Sequence, residues 1–344
     1  MKWLARLLYA GFTLLLLALI AAWQLYNYLN TPIEMKQQSL VVQVKPGSSF
    51  SFLAGELEKQ GLIEKPGWFA FYAHLANSAH RVQAGEYLIE SPITPAELLL
   101  KLELGRVIQY RVTFPEGWNF RQMMVRLNTL EKMDHRLIGL SAAEIMTLLG
   151  RDGEHPEGRF FPDSYSFVSG SSDLDVLRRA YRKMEQLLDE EWQQRDPDLP
   201  YKDAYGALVM ASIVEKETAV LREQPEIAGV FVRRLEAGMR LQTDPTVIYG
   251  LGESFKGNLT RRHLTSNTAY NTYIHHGLPP TPIAMPGRAA IHAVIHPASG
   301  ASLYFVARGD GTHLFSDTLV EHQRAVRRFQ IEKRSSHYRS TPLK

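Results

Sequence analysis

Apolar and polar positions along the chain fall into three regimes. From Leu7 to Trp23 the residues (LLYAGFTLLLLALIAAW) are uncharged and almost wholly apolar. With Trp3 and Tyr26 at its flanks, the run reaches the roughly 20 residues a helix needs to cross a hydrocarbon core of about 30 Å, and aromatic residues favour the two bilayer interfaces. Lys2 and Arg6 precede it, so the excess of positive charge predicts a cytoplasmic N-terminus and an extracytoplasmic location for everything after Asn30. The competing reading is a cleaved secretory signal. A cut after Ala21 or Ala22 would put Leu19 or Ile20 where a small residue belongs. Residues 1–30 are therefore read as a retained single-pass anchor. Residues 31–38 (TPIEMKQQ), which lack a hydrophobic pattern, are read as a tether.

The second regime mixes short periods. Leu40, Val42 and Val44 alternate as in a strand, and Lys45-Pro46-Gly47 marks a turn. Leu53 and Leu57 space helically, Gly61 stops that helix, and Pro66 opens another with Trp68, Phe69, Phe71, Tyr72 and Leu75 as a broad apolar face. Gly85 to Ile89 is extended again, and Thr94 to Leu104 is helical. These elements predict a small α/β unit over residues 39–106. The third regime, residues 107–332, sets short strands such as Tyr110 to Phe114 among strong helices such as Leu174 to Trp192, and predicts a larger mixed α+β domain. Residues 333–344 form a basic tail with no apolar face, to which no function is assigned.

Composition narrows the chemistry. Lys and Arg number 39 against 36 Asp and Glu, and a net charge of +3 is too mild for a nucleic-acid binder. The absence of cysteine excludes a disulfide scaffold, a thiolate nucleophile and any Cys-ligated zinc or iron–sulfur site. Histidines remain as possible ligands, since His292 and His296 stand i, i+4 in HAVIH and His275-His276 lies nearby. The familiar metalloprotease helix carries its Glu directly after the first His, where this chain has Ala293, and Pro297 closes the segment. No metal and no cofactor is expected. A serine hydrolase is unsupported, because no G-x-S-x-G elbow is present.

The densest candidate for chemistry is Leu208 to Leu221 (LVMASIVEKETAVL), read as an unbroken helix. Helical spacing puts Met210, Ile213, Val214, Glu217, Val220 and Leu221 on one face, so Glu217 is a carboxyl in an apolar stripe. Desolvation raises a carboxyl pKa, as a general acid requires. Periodicity alone leaves open that Glu217 is a helix-rim residue. Glu215 falls beside Ala211, Ser212, Thr218 and Ala219, a smaller and more polar surface on which it is expected to stay ionised beside a cation. In RLQTDPTVIYG, Pro245 is expected to stop any helix, leaving Gln242, Thr243, Asp244 and Tyr249 on a loop rich in donors and acceptors. Tyr270 and Asn271 in AYNTY, followed by the rigid turn GLPP, add aromatic faces and amides of the kind that suit sugars. A well-capped surface loop has the same composition.

At ASIVEKETAV, RLQTDPTVIYG, AYNTY and GLPPTPIAMPG the sequence resembles the YceG-like endolytic murein transglycosylase family. The resemblance extends to Glu157-Gly158-Arg159-Phe160-Phe161-Pro162-Asp163, to His296-Pro297-Ala298 and to Leu303 through Ala307. It implies cleavage of peptidoglycan glycan strands between N-acetylmuramic acid and N-acetylglucosamine, leaving 1,6-anhydromuramoyl ends, with the second Glu of E-K-E-T as catalytic acid and base. On this chain that residue is Glu217. It also implies that residues 39–106 are a LysM-like subdomain, that residues 107–332 are the catalytic domain on the outer face of the cytoplasmic (inner) membrane, and that synthases of the penicillin-binding class are partners. Gln242, Thr243, Asp244, Tyr249, Tyr270 and Asn271 are the candidate sugar-binding residues. Two other classes stay open: a non-catalytic peptidoglycan-binding scaffold, and a muramidase that uses water with Asp244 as second carboxylate.

Overall fold

The computed structural model describes residues 2–332. Its contacts gather into two units, the first ending at Tyr110 and including Ser166–Ser171, the second beginning at Arg111. Helix α1 (Lys2–Asn30) carries the apolar run. Its 29 residues rise about 44 Å at about 1.5 Å each. Among the described residues, Arg6–Asn30 is the segment long and apolar enough to cross a membrane, and none of its apolar window is buried. Only the last turn packs: Leu29 is buried and Tyr28 meets Trp68 edge-on, 6.2 Å between ring centroids.

In the first unit, β1 (Ser39–Val44) pairs antiparallel with β2 (Gly85–Glu90), with Val42 opposite Tyr87 and Leu40 opposite Ile89. The period-two pattern turns Val42 and Val44 inward and leaves Val41 exposed. Helix α2 (Phe50–Lys59) starts where the Ser49 side chain accepts the Phe52 amide. Helix α3 (Pro66–Leu75) begins on a proline, which has no amide to satisfy in a first turn. Its inward face is narrower than the sequence predicts, for Phe69 and Ala73 are buried while Phe71 and Leu75 are exposed. Helix α4 (Pro95–Glu103) opens with a capping box between Thr94 and Glu97. Leu57, Phe69, Tyr87, Ile89, Leu98 and Leu102 meet in the core.

Strands β3 (Tyr110–Thr113) and β4 (Ser164–Phe167) form a two-stranded sheet. Between them lie α5 (Phe120–Asn128) and α6 (Ala142–Leu148), each opened by a capping box. Then follow α7 (Asp173–Gln193), α8 (Ala204–Glu217), α9 (Gln224–Glu236), α10 (Asp244–Leu251), the single turn α11 (Arg261–Leu264) and α12 (Arg288–Ile295). A hairpin of β5 (Tyr304–Ala307) and β6 (His313–Ser316) and helix α13 (Leu319–Val326) complete the second unit, which is mixed α+β. At its centre α8 packs against α12, α9 and α7. Every residue from Ala207 to Glu215 is buried. A helix that is apolar all round belongs inside, and this one is enclosed rather than amphipathic.

Two sequence expectations fail here. The helix does not continue to Leu221. Thr218 is extended (φ −142°, ψ 139°), and its side chain accepts the Val220 amide at 3.0 Å, an alternative to helical pairing that takes Val220 and Leu221 out of the helix. Nor does Pro245 stop a helix: it occupies the first turn of α10, where an amide hydrogen would have no intrahelical acceptor. Asp244 and Tyr249 therefore stand on a helix, and only Gln242 and Thr243 precede it.

Candidate active site

Glu217 is the last residue of α8, so its carboxyl lies at the negative end of the helix dipole, where an anion is disfavoured. The residue keeps a partial opening while its carboxyl is enclosed by protein. Burial pushes that carboxyl up to about 7; the Thr243 hydroxyl, which donates to Oε1, opposes the shift, the charge of Asp244 adds to it, and the Arg234 guanidinium opposes it. A group in this balance holds a proton near neutral pH and can also give it up.

The Thr243 hydroxyl is placed by its backbone. Gln242 takes a left-handed conformation (φ 52°), uncommon for this residue type, and its amide donates to the Thr272 carbonyl at 3.2 Å. The Thr243 amide donates to Thr272 Oγ1 at 3.1 Å, and Thr246 Oγ1 donates to the Thr243 carbonyl at 2.7 Å. Asp244, exposed on the first turn of α10, accepts the Tyr273 hydroxyl at 2.6 Å. Arg234 on α9 is buried, with Nε donating to the Leu303 carbonyl and Nη1 to the Leu241 carbonyl, both at 2.7 Å. Burial lowers its pKa, yet it supplies a positive charge felt at Glu217.

These groups line a cleft of about 2190 Å³ within the second unit. That is about twice the upper end of the roughly 300–1,000 Å³ typical of small-molecule pockets, room suited to a polymer segment. Of the residues the sequence singles out, Glu217, Gln242, Asp244, Tyr249 and Tyr270 line the cleft, and Thr243 lies behind it against Glu217. Asn271 does not reach it. Fully buried, its Nδ2 donates to the carbonyls of Ser266 (2.8 Å) and Leu264 (3.1 Å) and its Oδ1 accepts the Tyr273 amide, which fixes the loop that presents Tyr270 and Tyr273.

Among the lining residues that sequence reasoning does not single out are Arg234, Tyr273, Lys216 and Glu157. Tyr273 closes AYNTY and Glu157 opens EGRFFPD, so both stood inside quoted motifs. Arg234 left no such signal, because its partners are backbone carbonyls, Leu241 seven residues on and Leu303 sixty-nine residues on, that no side-chain motif marks. Glu157 is buried, with burial pushing its carboxyl up to about 7 against its bonds to Tyr249 and to the Phe120 and Gly158 backbone. Glu215 is buried and accepts the Gly287 amide at 3.2 Å. A Cβ at Gly287 would collide with the Glu116 side chain, which lies against the same glycine. Lys216 Nζ donates to the Gly117 carbonyl at 3.1 Å, tying the end of α8 to the segment before α5. The histidine pair of HAVIH lies elsewhere. His292 Nδ1 faces Glu191 at 2.9 Å and His296 Nδ1 faces Asp196 at 2.7 Å, contacts that link α12 to α7 and the residues after it.

Comparison with known proteins bears on this cleft. A relative from Bacillus subtilis strain 168, named endolytic murein transglycosylase, is 29% identical over 320 residues that cover 88% of each chain. A relative of the same name from Streptococcus pneumoniae serotype 2 is 27% identical over 361 residues, covering 91% of this chain and 63% of its own length. The chain thus spans less than two thirds of that relative. The crystal structure of a YceG-like protein from Listeria monocytogenes aligns with a TM-score of 0.53 at 28% identity, covering 83% of this chain and 98% of that one. Residues 42–328, most of the first unit and nearly all of the second, match the model of the YceG-like family, and the chain belongs to that family.

Proposed function

We propose that this protein is a lytic transglycosylase that cuts within peptidoglycan glycan strands, with Glu217 acting first as acid and then as base. The names of the relatives supply the substrate class. The observation that carries the mechanism is an enclosed carboxyl, held near neutral pH in its protonated form, opening on a cleft of polymer size.

The chemistry balances on one carboxyl. Glu217 gives its proton to the glycosidic oxygen, and the bond from that oxygen to the muramoyl anomeric carbon breaks through an oxocarbenium-like state. N-acetylglucosamine leaves with a free hydroxyl. The Glu217 carboxylate then takes the proton of the muramoyl 6-hydroxyl as its oxygen bonds to the anomeric carbon. The product is a 1,6-anhydro ring, Glu217 is protonated again, and no water enters. Thr243 steadies the carboxylate stage, and the nearby negative charge of Asp244 favours return of the proton. Gln242, Asp244, Tyr249, Tyr270 and Tyr273 are the groups that meet the sugars. Asn271 serves by holding their loop.

The remaining assignments belong to the same reading. Helix α1 is the single membrane span, the catalytic unit lies outside the cytoplasmic membrane, and the β1 to α4 unit is a LysM-like module with a peptidoglycan-binding role. Wall synthases of the penicillin-binding class are its partners. The decisive experiment is mass analysis of products from purified glycan strands treated with the full-length wild type and Glu217→Gln. Anhydro ends that vanish in the variant are expected. Ends heavier by one water would mean hydrolysis instead, and equal activity of the two proteins would remove Glu217 from the mechanism.

A further inference from the structure

Glu157 is a buried carboxyl that the acid and base cycle does not use. It follows α6 and precedes β4, and the turn after it requires Gly158, whose φ is +78° and where a Cβ would run into Pro282. Its two oxygens reach different parts of the cleft. Oε1 accepts the Phe120 amide at 3.0 Å, at the first residue of α5. Oε2 accepts the Tyr249 hydroxyl at 3.0 Å, on α10. Both helices line the groove, α5 through Arg121, Gln122 and Val125, α10 through Asp244, Ile248 and Tyr249. The Tyr249 ring packs edge-on against Tyr270, with centroids 4.8 Å apart. A buried carboxyl is costly unless fully paired, and packing alone would be served by a neutral side chain. Here its hydrogen bonds set the direction of another group's hydroxyl.

We propose that Glu157 is a positioning residue for glycan binding: it engages the Tyr249 hydroxyl proton while the Thr281 hydroxyl bonds to the same Tyr249 oxygen, so that Tyr249 presents a fixed ring to a sugar, and it joins α5 to α10 beside the groove. This rests on the reading that the cleft holds a glycan strand, and adds a second acid to it with a role in binding. The groups facing Glu157 are Tyr249, Lys216, whose charge favours the ionised form, and His155, whose Nδ1 accepts the Glu157 amide at 3.2 Å.

The test is a double-mutant cycle of Glu157→Gln and Tyr249→Phe in the full-length protein. Cleavage of purified glycan strands is followed with Glu217 intact, and strand binding is followed in a Glu217→Gln background. Gln at 157 still accepts from Phe120 but donates toward Tyr249, reversing that bond. Each single change is expected to raise KM and weaken binding about tenfold with a smaller effect on kcat, and the double variant to be no worse than the poorer single. In the Glu217→Gln background, binding should weaken as pH falls through about 7, and Glu157→Gln should abolish that dependence. Losses that multiply, a fall in kcat with KM untouched, or singles that behave as wild type would each overturn the proposal. Should Glu157→Gln fail to fold, Tyr249→Phe decides: a normal KM with binding that still weakens as pH falls through about 7 defeats it. Equal cleavage by wild type and Glu217→Gln would reject the proposed chemistry while the binding cycle still judges Glu157.

Discussion

The end of α8 and the start of α10 place two carboxyl groups at opposite ends of two helices. Glu217 lies at a C-terminal end, enclosed, in a field that disfavours negative charge. Asp244 lies in a first turn, exposed, and accepts the Tyr273 hydroxyl. The two carboxyl groups differ first in burial, which raises the pKa of Glu217, and the helix end at which each stands works in the same sense.

Removing the enclosed acid should have the largest effect. Glu217→Gln should lower kcat about a thousandfold, measured as release of anhydro ends, within the roughly 10²–10⁴ range for a catalytic acid or base. Thr243→Val should come next, about tenfold in kcat/KM. It removes a hydrogen bond that favours the carboxylate, so the pKa of Glu217 rises and the alkaline limb of the pH–rate profile moves upward; an unmoved limb would show that Thr243 does not bond to the working acid. Asp244→Asn should cost less than about tenfold and move the same limb downward, because a neighbouring negative charge is lost. A loss as large as that of Glu217→Gln would instead mark Asp244 as a second catalytic carboxylate and erase the contrast.

The smallest effect is on stability. Glu217 and Glu157 have folded-state values near 7 against 4.5 ordinarily, so between these limits the folded chain binds more protons than the unfolded one. Their contribution is complete below about 4.5 and is lost as pH rises through about 7. Thermal melts across this window should therefore fall less steeply for Glu217→Gln than for the wild type. Parallel slopes would place the carboxyl in solvent.

Elements with a strong local period were legible in the sequence. The apolar run of α1, the alternation of β1 and the helical stretch of α4 depend on neighbours a few residues away; β1 and α4 stand within a residue or so of their predicted bounds, while α1 extends the apolar run at both ends. What escaped depends on distant partners. The enclosure of α8 follows from α7, α9 and α12 closing round it, and no face of Leu208 to Glu217 could reveal that Glu215 meets Gly287. The α10 error came from treating Pro245 as a stop when the first turn of a helix accepts proline. For the site, Glu217 was identifiable from its motif, whereas the placement of Arg234 and the two hydrogen bonds of Glu157 emerge only when segments far apart in sequence converge.

Gln242 is one of three non-glycine residues in the left-handed region among those described, with Asn77 and Asp198, and those two residue types enter it more readily. Glycine at 242 would relax the backbone, and it would also loosen the peptide that aims Thr243 at Glu217. The gain from a relaxed torsion is opposed by the added freedom of the unfolded chain, so the consequence of such a change is local: it unlocks the one peptide whose direction decides where the Thr243 hydroxyl points.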